Sequence, residues 1–277
     1  MSAPPLTSQR HEPFTDDEKR RYARHFVLRE IGGQGQQKLK SARVCVVGAG
    51  GLGAPIIQYL AGAGVGTLSI IDPDTVEVSN LHRQTIFKES DVGQPKADAA
   101  AAYVNALNPN VRTQTVVDRV ADDNAIELFS GADLIIEGVD SFEARFVINR
   151  AAIKLKIPLV SAAVSRFQGV VGCFSPWVTI EDKRTGLRVN SPCYRCFTPE
   201  APPREEILTC ADEGVLGPAV GVIGSIAAVE AIKAITGAGQ NLIGRIIIYD
   251  GLSGDTRTVA LPADPACPDC GMQNAVT

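Results

Sequence analysis

The chain has no apolar run long enough to cross a membrane, because glycine, proline or charge breaks each of its longer hydrophobic stretches. Residues 1–19 hold no apolar leader core, so the expectation is a cytoplasmic protein with no membrane partner. Excess positive charge is also missing. A net charge of -4 and a pI near 5.5 speak against a nucleic-acid partner. Cysteine is too sparse for a disulfide scaffold, with seven in 277 residues, and an odd number leaves at least one unpaired. Metal or thiol chemistry is the better reading. Internal repeats and low-complexity blocks are absent. What is present is 45% hydrophobic, enough to bury a full core in one large domain or in one domain with a lobe attached.

The organising stretch is 43–74, RVCVVGAGGLGAPIIQYLAGAGVGTLSIIDPD. An apolar run enters Gly48-Ala49-Gly50-Gly51-Leu52-Gly53, a helical pattern follows, and a second apolar run ends at Asp72. That is a βαβ unit with a glycine turn. Gly48 permits the tight turn, Gly50 lets backbone approach a phosphate, and Gly53 lets helix pack closely on strand. Asp72 lies about 20 residues beyond, where an acid can take the hydroxyls of a ribose.

Residues 1–14 are rich in proline, serine and charge and are expected to be a flexible tail, as is 272–277. Thr15 followed by Asp16, Asp17 and Glu18 predicts an N-cap and a helix carrying Arg20, Arg21, Tyr22, Arg24 and His25. On residues alone those arginines read as a solvated face. Gly32-Gly33-Gln34-Gly35 is expected to end the helical region. Residues 73–84 read as a loop at the carboxyl end of the second strand, where open α/β sheets bind ligands. Gly93-Gln94-Pro95-Lys96 opens an alanine-rich helix to about Leu107, and a lysine in its first turn opposes the helix dipole.

Downstream, strand is expected over 111–117, a short helix over 122–129 and a buried strand over 132–140 ending on a carboxylate. Helix follows over 141–156 and strand over 158–163. This alternation predicts an α/β fold with a Rossmann-like, mostly parallel sheet and helices on both faces. From 169 the pattern changes. A strand over 169–174 precedes an irregular lobe over 177–203, an apolar helix over 217–236 and an antiparallel hairpin over 245–261 turning at Ser253-Gly254-Asp255.

Cys193-Tyr194-Arg195-Cys196 and Cys267-Pro268-Asp269-Cys270 are two Cys-x-x-Cys pairs. Each can grip one side of a tetrahedral metal, and together they read as a closed zinc site pinning the C-terminus to the lobe. A redox pair or two disulfides are the alternatives. Cys45 and Cys173 lie in strands as small hydrophobes. Cys210 sits in polar sequence before the apolar helix, where a thiol is either a candidate nucleophile or inert.

RYARH (21–25), GAGGLG (48–53), DPDTVEVSNLHRQ (72–84), GQPKA (93–97), VDSFEAR (139–145), CYRC (193–196), TCADEGVLGPAVGVIGSIAAVEAIK (209–233) and CPDC (267–270) stand in one order. In these the chain resembles the HesA/MoeB/ThiF family, the ubiquitin-activating-enzyme-like adenylyltransferases, and within it the bacterial molybdopterin-synthase and sulfur-carrier branch. The resemblance implies one adenylation domain over 15–271, with a nucleotide-binding half over about 15–165 and a carrier-binding and zinc half over about 166–271. It implies that ATP and Mg²⁺ serve to adenylate the C-terminal glycine of a ubiquitin-fold carrier protein ending in Gly-Gly. Arg83 and Lys96 would hold phosphate, Asn80 and Gln84 would lie beside it, and Asp72 with Asp74 would face the nucleotide. Asp140 would hold Mg²⁺, and Arg24 would cross to the other subunit of a homodimer, replacing the solvated-face reading. Cys210 matches a loop cysteine used for thioester or persulfide chemistry in some members. His25 stands where glutamine is common and Ser141 where asparagine is common. No rhodanese-like sequence follows Cys270, so sulfur transfer would need a separate donor. The same glycine turn also suits an NAD- or FAD-dependent oxidoreductase, a non-catalytic zinc-stapled scaffold, or adenylation of another carboxylate or a tRNA base. The oxidoreductase reading leaves Arg83, Lys96 and Asp140 without a purpose.

Overall fold

The alternating pattern folds into an eight-stranded sheet in the computed structural model, which describes residues 13–181, 186–202 and 214–271. The strands are β1 (Arg43–Val47), β2 (Thr67–Ile71), β3 (Arg112–Val116), β4 (Leu134–Glu137), β5 (Leu159–Ser165), β6 (Gln168–Phe174), β7 (Thr179–Glu181), β8 (Arg188–Asn190), β9 (Arg245–Asp250) and β10 (Asp255–Ala260). The large sheet runs β10-β9-β6-β5-β4-β1-β2-β3, while β7 and β8 pair apart from it. From β3 across to β5 the pairing is parallel, and from β5 to β10 it is antiparallel.

Register is what positions the site. Val47 at the end of β1 stands opposite Ile71 of β2 and Glu137 of β4, so three parallel strands finish at one level. Both faces of the sheet are covered, as a parallel sheet requires. Alternate residues of β1 divide between the two sides: Val44 and Val46 pack under α4 (Gly53–Ala63), α5 (Lys96–Leu107) and α9 (Gly217–Thr236), Cys45 and Val47 under α6 (Ala125–Phe129) and α7 (Phe142–Leu155). Among the described residues the remaining α-helices are α1 (Asp16–Arg21), α2 (Ala23–Phe26), α3 (Gly32–Ser41) and α8 (Tyr194–Phe197). By length and composition α9 is apolar enough to cross a membrane, contrary to the sequence reading. It is a core helix, with Ala219, Val220, Ile223, Ala227 and Ala231 buried where it crosses α4, β5 and β6.

Local departures from expectation have tertiary causes. The helix beginning at Thr15 forms with a full capping box, but it breaks at Tyr22. The Tyr22 ring is buried, its hydroxyl accepts a hydrogen bond from Asn108 Nδ2 at 2.9 Å, and this anchor re-aims the chain. Gly32 to Gly35 open α3 instead of ending a helix. Buried Leu39 and Gln36, whose Nε2 donates to Ala63 O at 2.8 Å, hold that helix in place and override the poor propensity of glycine. The lobe over 177–203 is not wholly irregular, since it carries the β7–β8 hairpin and α8. The fourth strand ends at Glu137, before the Asp140 at which it was expected to finish.

Candidate functional site

At the level where β1, β2 and β4 end, the chain makes a cradle. Gly48 has φ +90°, and its N–H donates to Ile71 O at 2.9 Å. A Cβ on Gly53 would lie 2.0 Å from Gly48 O, so the helix start can approach the strand only without a side chain. Above Gly50 the space is open, and the nearest atom to a Cβ there would be Gln84 Nε2 at 3.7 Å. That opening is where the α4 N-terminus could receive a phosphate.

Acidic side chains floor the cradle. Asp72 is 5% exposed and accepts hydrogen bonds from Ala49 N at 2.7 Å and Asp74 N at 2.9 Å. Burial pushes its carboxyl above the usual range, against the pull of those two donors. Lys96 is only 7% exposed at the first turn of α5, and its Nζ lies 3.0 Å from Asp74 Oδ2. Arg83 runs its stem beside Gly51, and its guanidinium donates to Ser79 O at 2.9 Å. Asn80 is buried in a short 3₁₀ turn, where its Oδ1 accepts from Glu77 N at 3.3 Å. Gln84 is 3% exposed, and its Oε1 has no hydrogen-bond partner among the described residues. A buried amide oxygen left unpaired costs about 1–3 kcal/mol, and such a group beside an open cradle marks a place for a ligand or water.

Asp140 is exposed just past the end of β4, next to the cradle wall formed by Gly138 and Val139 at Gly48. Ser141 caps α7 by accepting from Ala144 N at 3.2 Å, and its hydroxyl donates to Glu143. The carboxylate that β4 buries is Glu137, which is 1% exposed. It accepts from Ser161 Oγ and from Val139 N, and lies 3.7 Å from Arg145 Nε. Sequence reasoning passed over Glu137. Its signal was an acid directly following Leu134-Ile135-Ile136 with no polar neighbour to share its cost.

Arg24 is not brought to this cluster. Its helix α2 follows Tyr22, which sits at the far end of α4 against Gly64 and at the far end of α5 against Asn108. With about 16 Å of α4 between that end and the glycine turn, Arg24 lies away from its own cradle. It is exposed, as are Val27 at 74% and Leu28 at 48% immediately after it. Cys210 lies outside the described residues.

The four paired cysteines do converge. Cys193 Sγ is 3.6 Å from Cys267 Sγ, Cys196 Sγ is 3.5 Å from Cys270 Sγ, and all four sulfurs lie within 4.8 Å of one another. These separations are too long for disulfides and match the S···S spacing of about 3.8 Å that a tetrahedral zinc with bonds of about 2.3 Å imposes. Hydrogen bonds from the Cys193 and Cys270 thiols hold the Cys196 thiol well below its usual range, and the reciprocal contacts push Cys193 up. Asn149 Nδ2 donates to Cys193 Sγ at 3.6 Å and Asp264 N to Cys196 Sγ at 3.4 Å, the outer contacts that orient metal-binding thiolates. The cluster could hold zinc. Cys45 and Cys173 are buried in strands, with burial pushing their thiols up to about 11 and about 12.

The ThiF family model matches residues 22–269. The sulfur carrier protein adenylyltransferase of Thermus thermophilus is 42% identical over 258 residues, covering 93% of this chain and 93% of that one. The molybdopterin-synthase adenylyltransferase of Salmonella typhimurium is 41% identical over 259 residues, covering 94% and 99%. Among solved structures, E. coli MccB with MccA-N7isoASN superposes with a TM-score of 0.77 at 22% identity, covering 91% of this chain and 74% of that one, a likeness of fold. The chain belongs to the ThiF family.

Proposed function

We propose that the chain is an ATP-dependent adenylyltransferase that activates the C-terminal glycine carboxylate of a ubiquitin-fold sulfur-carrier protein ending in Gly-Gly. The observation that carries this reading is the meeting, at one sheet end, of an open glycine cradle, a buried lysine and a buried aspartate. The relatives named for adenylyl transfer to such a carrier or to molybdopterin synthase support it.

The carrier carboxylate oxygen forms a bond to the α-phosphorus of ATP while the bond from that phosphorus to the pyrophosphate oxygen breaks. Acyl-adenylate and pyrophosphate leave. Two anions approach one another in this step, so fixed cations matter most. Lys96 and Arg83 supply them, Asn80 and Gln84 lie beside the phosphates, where only their amide N–H₂ groups can donate, and the turn N–H groups of Gly50, Gly51 and Gly53 face the phosphates. Asp72 and Asp74 hold the ribose side. An exposed carboxylate beside a phosphate cradle suits a hard cation, so Asp140 would hold Mg²⁺, which would neutralise charge on the phosphates when bound. Cys193, Cys196, Cys267 and Cys270 would hold Zn²⁺ with four thiolates, a ligand set that suits a structural role.

The chain works as a homodimer in which Arg24, remote from its own cradle, reaches the nucleotide of the other subunit. Cys210 is a candidate nucleophile that either attacks the acyl-adenylate carbonyl, forming a thioester as AMP leaves, or carries as a persulfide the sulfane sulfur passed to it from the persulfide of a separate donor, whose thiol is released. The unit is a single adenylation domain over 15–271, acting in the cytoplasm. Exchange of labelled pyrophosphate into ATP that depends on a Gly-Gly carrier is the expected result. Exchange driven by a small carboxylate or a tRNA instead, or tight NAD binding without ATP turnover, overturns the reading.

A further inference from the structure

The helix α7 starts directly after Asp140 and Ser141 and carries two polar residues one turn apart, Arg145 and Asn149, on one face. Asn149 belongs to the cysteine cluster. Its Oδ1 accepts from Tyr194 N at 3.0 Å, and its Nδ2 donates to Asp269 Oδ2 at 2.7 Å as well as to Cys193 Sγ. Arg145 belongs to the other end. Its Nε and NH2 donate to Val139 O at 3.0 and 2.5 Å, and NH2 also donates to Ala162 O at 3.1 Å.

Tyr194 joins the two. It lies inside the first Cys-x-x-Cys pair, its hydroxyl accepts from Arg145 NH1 at 3.4 Å, and the guanidinium carbon stands 5.9 Å from its ring centroid. Phe146, Phe174 and Phe197 wall the ring at centroid distances of 6.1, 5.7 and 6.3 Å. Glu137, 3.7 Å from Arg145 Nε, accepts from Val139 N at 3.0 Å. Both peptide groups of the residue before Asp140 are therefore held by buried side chains, and one of these rests on the cysteine knuckle. A centre that only clipped the C-terminus would need none of this. A buried Arg–Glu pair is a poor source of stability, and in this protein its two members hold the two peptide groups of Val139.

We infer that Arg145 and Tyr194 are positioning residues that couple metal occupancy of the four-cysteine centre to the conformation of the Val139–Asp140 turn. The inference rests on the reading of Asp140 as the residue that meets the metal–phosphate group of the nucleotide. Coupling between two binding sites is reciprocal. If a metal-bound knuckle favours the turn that receives Mg–ATP, then Mg–ATP must tighten the knuckle's hold on zinc by the same factor.

The test measures zinc affinity of the full chain by competition with a chromogenic chelator that ignores magnesium, with and without saturating Mg–ATP. Zinc affinity should rise about fivefold or more, the low end of ordinary coupling. In Tyr194→Phe, which keeps the ring but not the hydroxyl, zinc should still bind one to one while the effect of Mg–ATP falls below about twofold. Parallel calorimetry of Mg–ATP on Asp140→Asn keeps the two ideas apart. Unchanged Mg–ATP binding by Asp140→Asn sinks the reading of Asp140. Weakened binding by that variant, with zinc affinity of the parent indifferent to Mg–ATP, overturns the coupling and leaves the site reading in place. Full retention of the zinc effect in Tyr194→Phe overturns Tyr194 as the link.

Discussion

The ammonium of Lys96 lies 3.0 Å from Asp74 Oδ2 in the first turn of α5, buried at a helix end whose dipole repels it. A cation in this place opposes local stability by roughly 0.3–1 kcal/mol and loses hydration besides. The arrangement makes sense when an anion completes it. Lys96→Met should therefore leave the melting temperature unchanged or raised, while carrier-dependent pyrophosphate exchange falls about 100-fold or more, the usual loss for one such electrostatic group. Equal losses of stability and exchange would show that Lys96 serves the fold instead.

Two glycines of the turn separate folding from binding. A Cβ at Gly53 would meet Gly48 O at 2.0 Å, so Gly53→Ala should destabilise on the order of 3 kcal/mol or more, read from the denaturant midpoint. At Gly50 a Cβ meets only Gln84 Nε2 at 3.7 Å, and φ is not in the left-handed region. Gly50→Ala should fold with a midpoint near that of the parent yet bind ATP at least about tenfold more weakly, the equivalent of roughly 1.4 kcal/mol. Calorimetric titration of ATP into both proteins distinguishes a filled cradle from a broken one.

What the sequence made legible was whatever short-range geometry demands. Gly48, Gly53 and Asp72 must fall in that order for any strand, turn and helix to close on a phosphate, and the cysteine pairs carry their ligand spacing within four residues. The start of α9 at Gly217 and the hairpin turn at Gly254 follow from equally local signals. Glu137 was hidden because its partners, Ser161 and Arg145, come from other elements, and a buried acid is intelligible only once they are in place. The same holds for Arg145 and Tyr194, neighbours across 49 positions. The helix at Gly32 escaped because Gln36 and Leu39, not propensity, hold it.

Cysteine reactivity should follow burial and clustering. With thiols pushed up to about 11 and about 12, Cys45 and Cys173 are thiolate to about one part in a thousand or less at pH 8 and are enclosed as well. Alkylation of the native, zinc-loaded protein should leave both unmodified, along with Cys193, Cys196, Cys267 and Cys270. Adding a strong chelator should open these four and release one zinc per chain, while Cys45 and Cys173 react only in denaturant. Modification of Cys173 under native conditions would contradict its place in the core.

The N-terminal capping box supplies a pH test with a fixed sign. Burial alone would raise the Glu18 carboxyl, but the hydrogen bond from Lys40 at 2.9 Å and those with Thr15 together carry it below its usual range. A carboxyl lowered on folding contributes stability above its unfolded value of about 4.3, and that stability is lost as pH falls through the folded value. Glu18→Gln can keep the cap, since glutamine accepts from the Thr15 N–H, but it loses the charge facing Lys40. Its cost should be about 1 kcal/mol at pH 7, smaller than that of Glu18→Ala, which loses both contacts. Only once the pH falls below the depressed folded value is the wild-type carboxyl neutral too, so urea midpoints of wild type and Glu18→Gln should converge progressively at pH values below the ordinary carboxylate range. The Glu18→Ala midpoint should stay lower, because the lost cap does not titrate. A gap between wild type and Glu18→Gln that does not narrow at all on acidification, to the point where the native protein unfolds, would mean that the Lys40 contact contributes nothing through its charge.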